Sequence, residues 1–243
     1  MEPEIALYMV PVAISDGALD MTMPDGNREI VGRIRHFIVE NVRTARRFLK
    51  RMCPAINIDE LTFRELNGHT SENEISGMLD PLRKGEAMAM MSEAGCPGVA
   101  DPGASVARLA QNEGFKVVPL VGPSSILLSL MASGLNGQRF CFNGYLPVEN
   151  KERERKIREF EARSRSLNET EIFIETPYRN VKLMEGLLKV LGRSTFLCIA
   201  SDVTGPGEKI ITRRVEDWKR KGFNLEKVPT IFLFYNDENE KKS

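Results

Sequence analysis

Histidine is nearly missing from this chain: 243 residues contain two, His36 and His69. The four cysteines, Cys53, Cys96, Cys141 and Cys198, are far apart, and no C-x-x-C pair occurs. With so few candidate ligands at such spacing, no metal site is expected. Unpaired thiols point to a reducing, cytoplasmic setting. Cys141 and Cys198 fall within apolar runs and are expected to be buried structural thiols. A net charge is also missing, since 34 Lys+Arg offset 34 Asp+Glu. That excludes a protein basic all over, but not a local basic patch. No apolar run approaches the roughly 20 residues of a membrane span. No basic stub, apolar run and small-residue cleavage site opens the sequence, so no signal peptide is expected. Disorder is excluded by a 42% hydrophobic content.

What is present is alternation. Short runs rich in β-branched, Met or aromatic residues predict strands over 6–12, 36–39, 87–92, 116–120, 140–144, 171–175, 196–200 and 230–235. Helical spacing predicts helices over 43–51, 71–84, 104–113, 124–133 and 151–165. Another runs between Pro177 and Gly192, the expected asymmetry of helix ends. The mixed charges of 151–165 read as a solvated helix. The polar tail 236–243 reads as frayed. Strands alternating with helices predict an α/β protein with largely parallel sheets. Pro119, Gly122 and Pro123 punctuate the middle, dividing the chain into N-terminal (1–120) and C-terminal (121–243) α/β domains.

The chemistry-bearing stretch is Ser92-Glu-Ala-Gly-Cys-Pro-Gly-Val-Ala-Asp-Pro-Gly-Ala, directly after a predicted strand. Ligands of parallel sheets bind at strand carboxyl ends, and glycines there admit a ligand close to the backbone. The bland alternative is a tight connection in which Asp101 caps the next helix. The segment lacks G-x-G-x-x-G, and no Lys-Ser/Thr pair follows a Gly-rich loop, so neither a dinucleotide fingerprint nor a P-loop is present. In a second segment, Pro119-Leu-Val-Gly-Pro-Ser-Ser, either serine is placed to cap a helix, whose free N–H groups also face any ligand.

These two segments, with Gly134-Leu and Arg139-Phe-Cys-Phe-Asn-Gly-Tyr-Leu-Pro, resemble the tetrapyrrole methylase superfamily. The resemblance is strongest to its rRNA small-subunit methyltransferase I branch. Glu175-Thr-Pro-Tyr-Arg resembles that branch's Glu-Ser-Pro-His-Arg motif, and Glu40-Asn-Val-Arg-Thr-Ala-Arg its Glu-Asp-Thr-Arg motif. The resemblance implies two α/β domains with a ligand cleft between them and S-adenosylmethionine (SAM) as the methyl donor. It also implies a homodimer and a ribose 2′-hydroxyl of small-subunit rRNA as acceptor. Carried across, Glu93, Ala94, Gly95, Cys96 and Val99 would line the SAM pocket. Ser124 and Ser125 would approach it from a helix start, and Thr176, Pro229 and Thr230 would close it.

This chain departs from the branch after the first strand. Val10-Pro-Val-Ala-Ile-Ser-Asp-Gly stands where the branch has Thr-Pro-Ile-Gly-Asn-Leu. That change keeps two alternatives open: a methyltransferase of a small molecule such as a tetrapyrrole, or a non-catalytic binding protein that retained the fold. A ribose hydroxyl is a poor nucleophile, so a proton acceptor is expected near it, with Glu93, Asp101 and Glu175 as candidates. Glu175 could equally be an ion-pair partner of Arg179. Between Arg28 and Arg51 lie eight basic and two acidic side chains. Arg43 and Arg46 there, together with Arg179, are the predicted substrate contacts, as phosphate binding would require.

Overall fold

A computed structural model describes residues 3–67 and 70–237. His69 and residues 238–243 lie outside the described residues. The chain forms two compact units, Met1–Ser124 and Ser125–Ser243.

Unit 1 is a five-stranded sheet of β1 (Leu7–Val10), β2 (His36–Val39), β3 (Thr62–Glu65), β4 (Met88–Met91) and β5 (Val117–Pro119). Their spatial order is β3-β2-β4-β1-β5, and every pairing is parallel. Its helices are α1 (Leu19–Thr22), α2 (Asp25–Val31), α3 (Val42–Met52), α4 (Glu72–Met78), α5 (Asp80–Arg83) and α6 (Ala104–Asn112). The inner strands are apolar throughout because both faces are covered. Tyr8, Val10, Phe37, Val39, Ala89 and Met91 point into one core; Leu7, Ile38, Met88 and Met90 point into another. That division follows the two-residue period of a strand.

In unit 2, β6 (Phe140–Tyr145), β7 (Thr170–Glu175), β8 (Phe196–Ser201), β9 (Lys209–Arg214) and β10 (Thr230–Tyr235) form a mixed sheet in the order β6-β7-β10-β8-β9. Only β6 and β7 run parallel, joined by a crossover through α8 (Asn150–Leu167). The other helices are α7 (Ser125–Ser133), α9 (Asn180–Val190) and α10 (Val215–Lys221). One sheet face buries Phe173, Leu197, Phe232 and Phe234 with Leu183, Leu187 and Trp218.

The predicted α/β class holds, but several local expectations need correction. Two strands, β3 and β9, were not expected. Both are edge strands, half-exposed and polar, so neither has an apolar run to read. The helix expected over 71–84 is two helices, because Pro81 cannot donate the backbone hydrogen bond that would continue α4. The Arg64 guanidinium donates to the Gly77 carbonyl instead. The helix expected from Pro177 begins as a 3-10 turn, Pro177–Arg179. Short α1, α2 and α10 had no expectation at all.

Asp101 does not cap α6; Gly103 occupies the cap position and no side chain bonds there. Helix α8 is only partly solvated, since Arg153, Ile157, Glu161 and Ser164 are buried. Asn236, expected to fray, is buried, and its N–H donates to Ser164 Oγ at 3.0 Å. Cys198 is buried as expected, and its thiol pKa is pushed up to about 11 by burial. Cys141 is only partly buried.

Candidate functional site

All five strands of unit 1 end at the same edge of a parallel sheet, so the loops after β1, β2, β4 and β5 meet there. Two backbone hydrogen bonds join the first and third of these loops: Val12 N–H donates to Gly95 O at 2.8 Å and Gly95 N–H to Val12 O at 3.0 Å. Gly95 has φ +71, a left-handed conformation that glycine adopts at little cost. Ala100, in the same loop, is held at φ +64 despite its Cβ. Residues kept in this region mark places where the surrounding structure dictates the backbone, as ligand clamps do. The loop after β5 packs on the first: a Cβ at Gly122 would overlap the Pro11 ring. Asn27 holds it from α2, donating to Val121 O at 2.7 Å.

Three carboxylates converge on this edge. Glu40 follows β2 and accepts the Glu93 N–H at 3.0 Å. Glu93 follows β4 and accepts Thr44 Oγ1–H at 2.5 Å, from the first turn of α3. Asn41 caps that turn, accepting from Arg43 N and Thr44 N. Asp101 ends the same loop. Burial raises the Glu40 pKa, and the charges of Asp101 and Glu93 add to it, against the opposing Glu93 N–H bond. Burial likewise raises Asp101, with Glu93 adding and a Ser92 hydrogen bond opposing. No cation contributes to either. Glu40 opens the Glu-Asn-Val-Arg stretch, and the parallel pairing of β2 with β4 brings it beside Glu93, 53 residues away.

The remaining expected residues divide as follows. Ala94 and Val99 are exposed on the β4 loop, and Cys96 is partly buried with its thiol 3.6 Å from Pro123 O. Ser124 ends unit 1 and Ser125 begins α7; both are partly buried. In unit 2, Thr176 and Pro229 are exposed. Thr230 is buried, accepting from Asn180 Nδ2 at 3.0 Å and lying 3.1 Å from Ser201 Oγ. Glu175 is tied to Arg179, whose Nε and Nη2 both donate to its Oε1 at 2.8 and 2.6 Å. The pair forms as the ion-pair alternative expected, with both donors on the one carboxylate oxygen. Arg46 pairs with Asp59 at 3.0 Å, whereas Arg43 and Arg47 stand exposed on α3. Among the described residues, no His, Cys, Asp and Glu grouping could hold a metal ion. None of their helices is long and apolar enough to cross a membrane.

No family model matches the chain. Among solved structures, the methyltransferase CobJ superposes with a TM-score of 0.60 at 16% identity, covering 95% of this chain and 94% of that one. Uroporphyrin-III-C-methyltransferase from Thermus thermophilus gives 0.52 at 17% identity, covering 94% and 93%. These show a shared fold. Among curated proteins, ribosomal RNA small subunit methyltransferase I of Escherichia coli O157:H7 is 34% identical over 171 residues, 69% of this chain and 58% of the relative. The matched segment therefore spans less than two thirds of that relative's length. The protein of the same name from Vibrio cholerae is 32% identical over 242 residues, 97% of this chain and 80% of the relative. With that coverage and identity, the chain belongs to the ribosomal RNA small subunit methyltransferase I family.

Proposed function

We propose that this protein is a SAM-dependent methyltransferase acting on a ribose 2′-hydroxyl of small-subunit rRNA. The observation that supports this most is the carboxylate trio Glu40, Glu93 and Asp101, which gathers at the carboxyl-end edge of the unit 1 sheet with no cation to neutralise it. SAM carries a sulfonium and an ammonium group, and such a negative, partly desolvated edge complements both. Glu93, Ala94, Gly95, Cys96 and Val99 would hold it in unit 1, with Ser124 at the loop after β5. Ser125, Thr176, Pro229 and Thr230 belong to the same reading from unit 2. When bound, SAM supplies a methyl group already activated for displacement.

This chain's part is to orient the acceptor and take its proton. Good orientation alone is worth roughly 7–11 kcal/mol. Asp101 suits the proton transfer. Its carboxyl pKa is raised, and a base works best as its pKa nears the working pH. Burial raises the Asp101 value most and the neighbouring Glu93 charge adds to it; Thr44 fixes Glu93, and the Glu93 N–H fixes Glu40. Arg43 and Arg47 on α3 supply phosphate contacts. The reading includes a homodimer, for which Leu127 and Met131, exposed on α7, offer an apolar face.

The test is methyl transfer from labelled SAM to small ribosomal subunits that lack the modification. Label in one ribose is expected. SAM binding without label in the RNA would overturn the rRNA acceptor, and label appearing in a tetrapyrrole would replace it. Replacing Arg43 and Arg47 by Glu should weaken RNA binding and flatten its salt dependence by about two in log–log slope.

A further inference from the structure

Unit 2 holds a cavity of about 590 Å³ that the site above does not use. It opens beneath residues 222–228, on the side of β8 and β9 where α10 packs. Ile199, Ile211 and Phe223 line its apolar part. At one wall the Arg213 guanidinium lies over the Trp218 ring, 4.5 Å from its centroid. Trp218 is fixed there, 3% exposed, its Nε1–H donating to Leu197 O at 2.8 Å. Lys209 is neutralised by Glu226 at 2.9 Å. Arg213, Lys221 and Asp202 also line the cavity; the Asp202 carboxylate accepts the Gly207 N–H at 2.8 Å, and among the described residues no carboxylate pairs with Arg213 or Lys221.

We propose that this cavity binds an unstacked nucleotide of the RNA strand, which rests on the rRNA reading above. Its volume falls in the range of small-ligand sites. A guanidinium stacked on an indole presents its outer face as a flat, cationic platform, and single-stranded bases stack on such planes. Two cations against the single Asp202 carboxylate, beside an apolar hollow, favour a ligand that is flat at one end and anionic at the other. A base with its phosphate is such a ligand. The surface continues beyond the cavity: Lys227, between the lining residues Glu226 and Val228, lies 5.8 Å from the ring centroid of Tyr178. Tyr178 is 84% exposed, an aromatic face open to a neighbouring base.

Trp218 is the chain's one tryptophan, so its emission reports on this wall alone. The experiment titrates the full chain with a cytidylate hexamer, cytidine monophosphate, inorganic phosphate and an oligoglutamate. The hexamer should change the emission at the lowest concentration and the mononucleotide at a higher one. Phosphate and oligoglutamate should leave it unchanged. Arg213→Gln should weaken the hexamer response roughly tenfold. Arg213→Lys should keep its salt dependence but not the full emission change, since charge without a plane cannot stack. Thermal melting of each variant checks folding, and Lys221→Glu gives an independent test from the rim.

A flat emission with every RNA, or equal affinity in Arg213→Gln and Lys221→Glu, overturns the pocket. An equal response to oligoglutamate assigns the cavity to an acidic peptide instead. The hexamer response without any methyl transfer overturns the methyltransferase reading and leaves the pocket standing. Methyl transfer with a flat emission overturns the pocket alone.

Discussion

Two carboxylate clusters, one in each unit, are held in opposite ways. In unit 2, Glu171 is fully buried, and the Arg163 guanidinium donates to both its oxygens. Arg163 also faces Glu169 at 3.0 Å, and Arg139 reaches Glu169 at 3.2 Å. Glu161 is buried without a cation, but it accepts Gly192 N–H at 2.7 Å and the Thr195 hydroxyl. In unit 1, Glu40, Glu93 and Asp101 face one another, with hydrogen bonds but no cation. A compensated buried charge holds a structure in one arrangement; removing one partner exposes the cost. An uncompensated cluster is the opposite, a standing repulsion that a cationic ligand relieves. Perturbed carboxylates of that kind gather at functional sites more than elsewhere. The contrast separates a charge-compensated network from an uncompensated one.

The largest expected effect would break or support that separation at Asp101. Asp101→Asn should lower methyl transfer roughly 100-fold, the low end for losing a general base. Its melting temperature should be unchanged or higher, because the substitution removes a like charge. A lowered melting temperature with unchanged turnover would make Asp101 structural. The reverse pattern is expected in unit 2. Glu171→Ala should destabilise by about 2 kcal/mol, less than a fully broken buried pair because Glu169 still faces Arg163. Chemical denaturation measures it, and no loss of stability would mean the network is not holding the β6–β7 edge.

A smaller effect sharpens the geometry of the unit 1 edge. Gly122→Ala drives a methyl group into Pro11 and should cost roughly 1–2 kcal/mol, as overpacking does. SAM affinity should fall with it if the loops after β1 and β5 hold the cofactor. The smallest effect is in pH dependence. Glu40 and Asp101 have folded pKa values above their unfolded ones, so their contribution favours the native state fully below about pH 4. It is lost as pH rises through the folded values. The melting temperature of the Glu40→Gln, Asp101→Asn double variant should therefore vary less between pH 4 and 8 than that of the parent. Identical profiles would show that burial and mutual repulsion do not act on this pair.

Much of the fold could be read in the chain. Buried strands advertise themselves as apolar runs, and β2 and β10 lie where their residues predicted, His36–Val39 and Thr230–Tyr235. Polar edge strands do not: β3 (Thr-Phe-Arg-Glu) and β9 (Lys-Ile-Ile-Thr-Arg-Arg) mix charged and apolar residues, whereas the edge strands β5 and β6 are apolar enough to read. The candidate site is marked in the sequence by a glycine- and proline-rich loop after β4 and by motifs shared with a family. Its electrostatics were not legible. Glu40 is 53 residues from Glu93, and only the parallel pairing of β2 with β4 brings the two together. Glu175 and Glu93 look alike as strand-end carboxylates; an arginine four residues later ties up only the first.

By itself, then, the sequence determined the α/β class, the position of the glycine- and proline-rich loop after β4 and the family likeness. Each depends on local pattern: apolar periodicity, turn residues and short motifs along the chain. Tertiary structure alone decided which carboxylates are compensated and which edge carries strain. It also decided that Arg213 and Trp218 share a wall with Lys221. Charge and stacking act through space over a few ångströms, and strand pairing sets those distances without regard to separation along the chain.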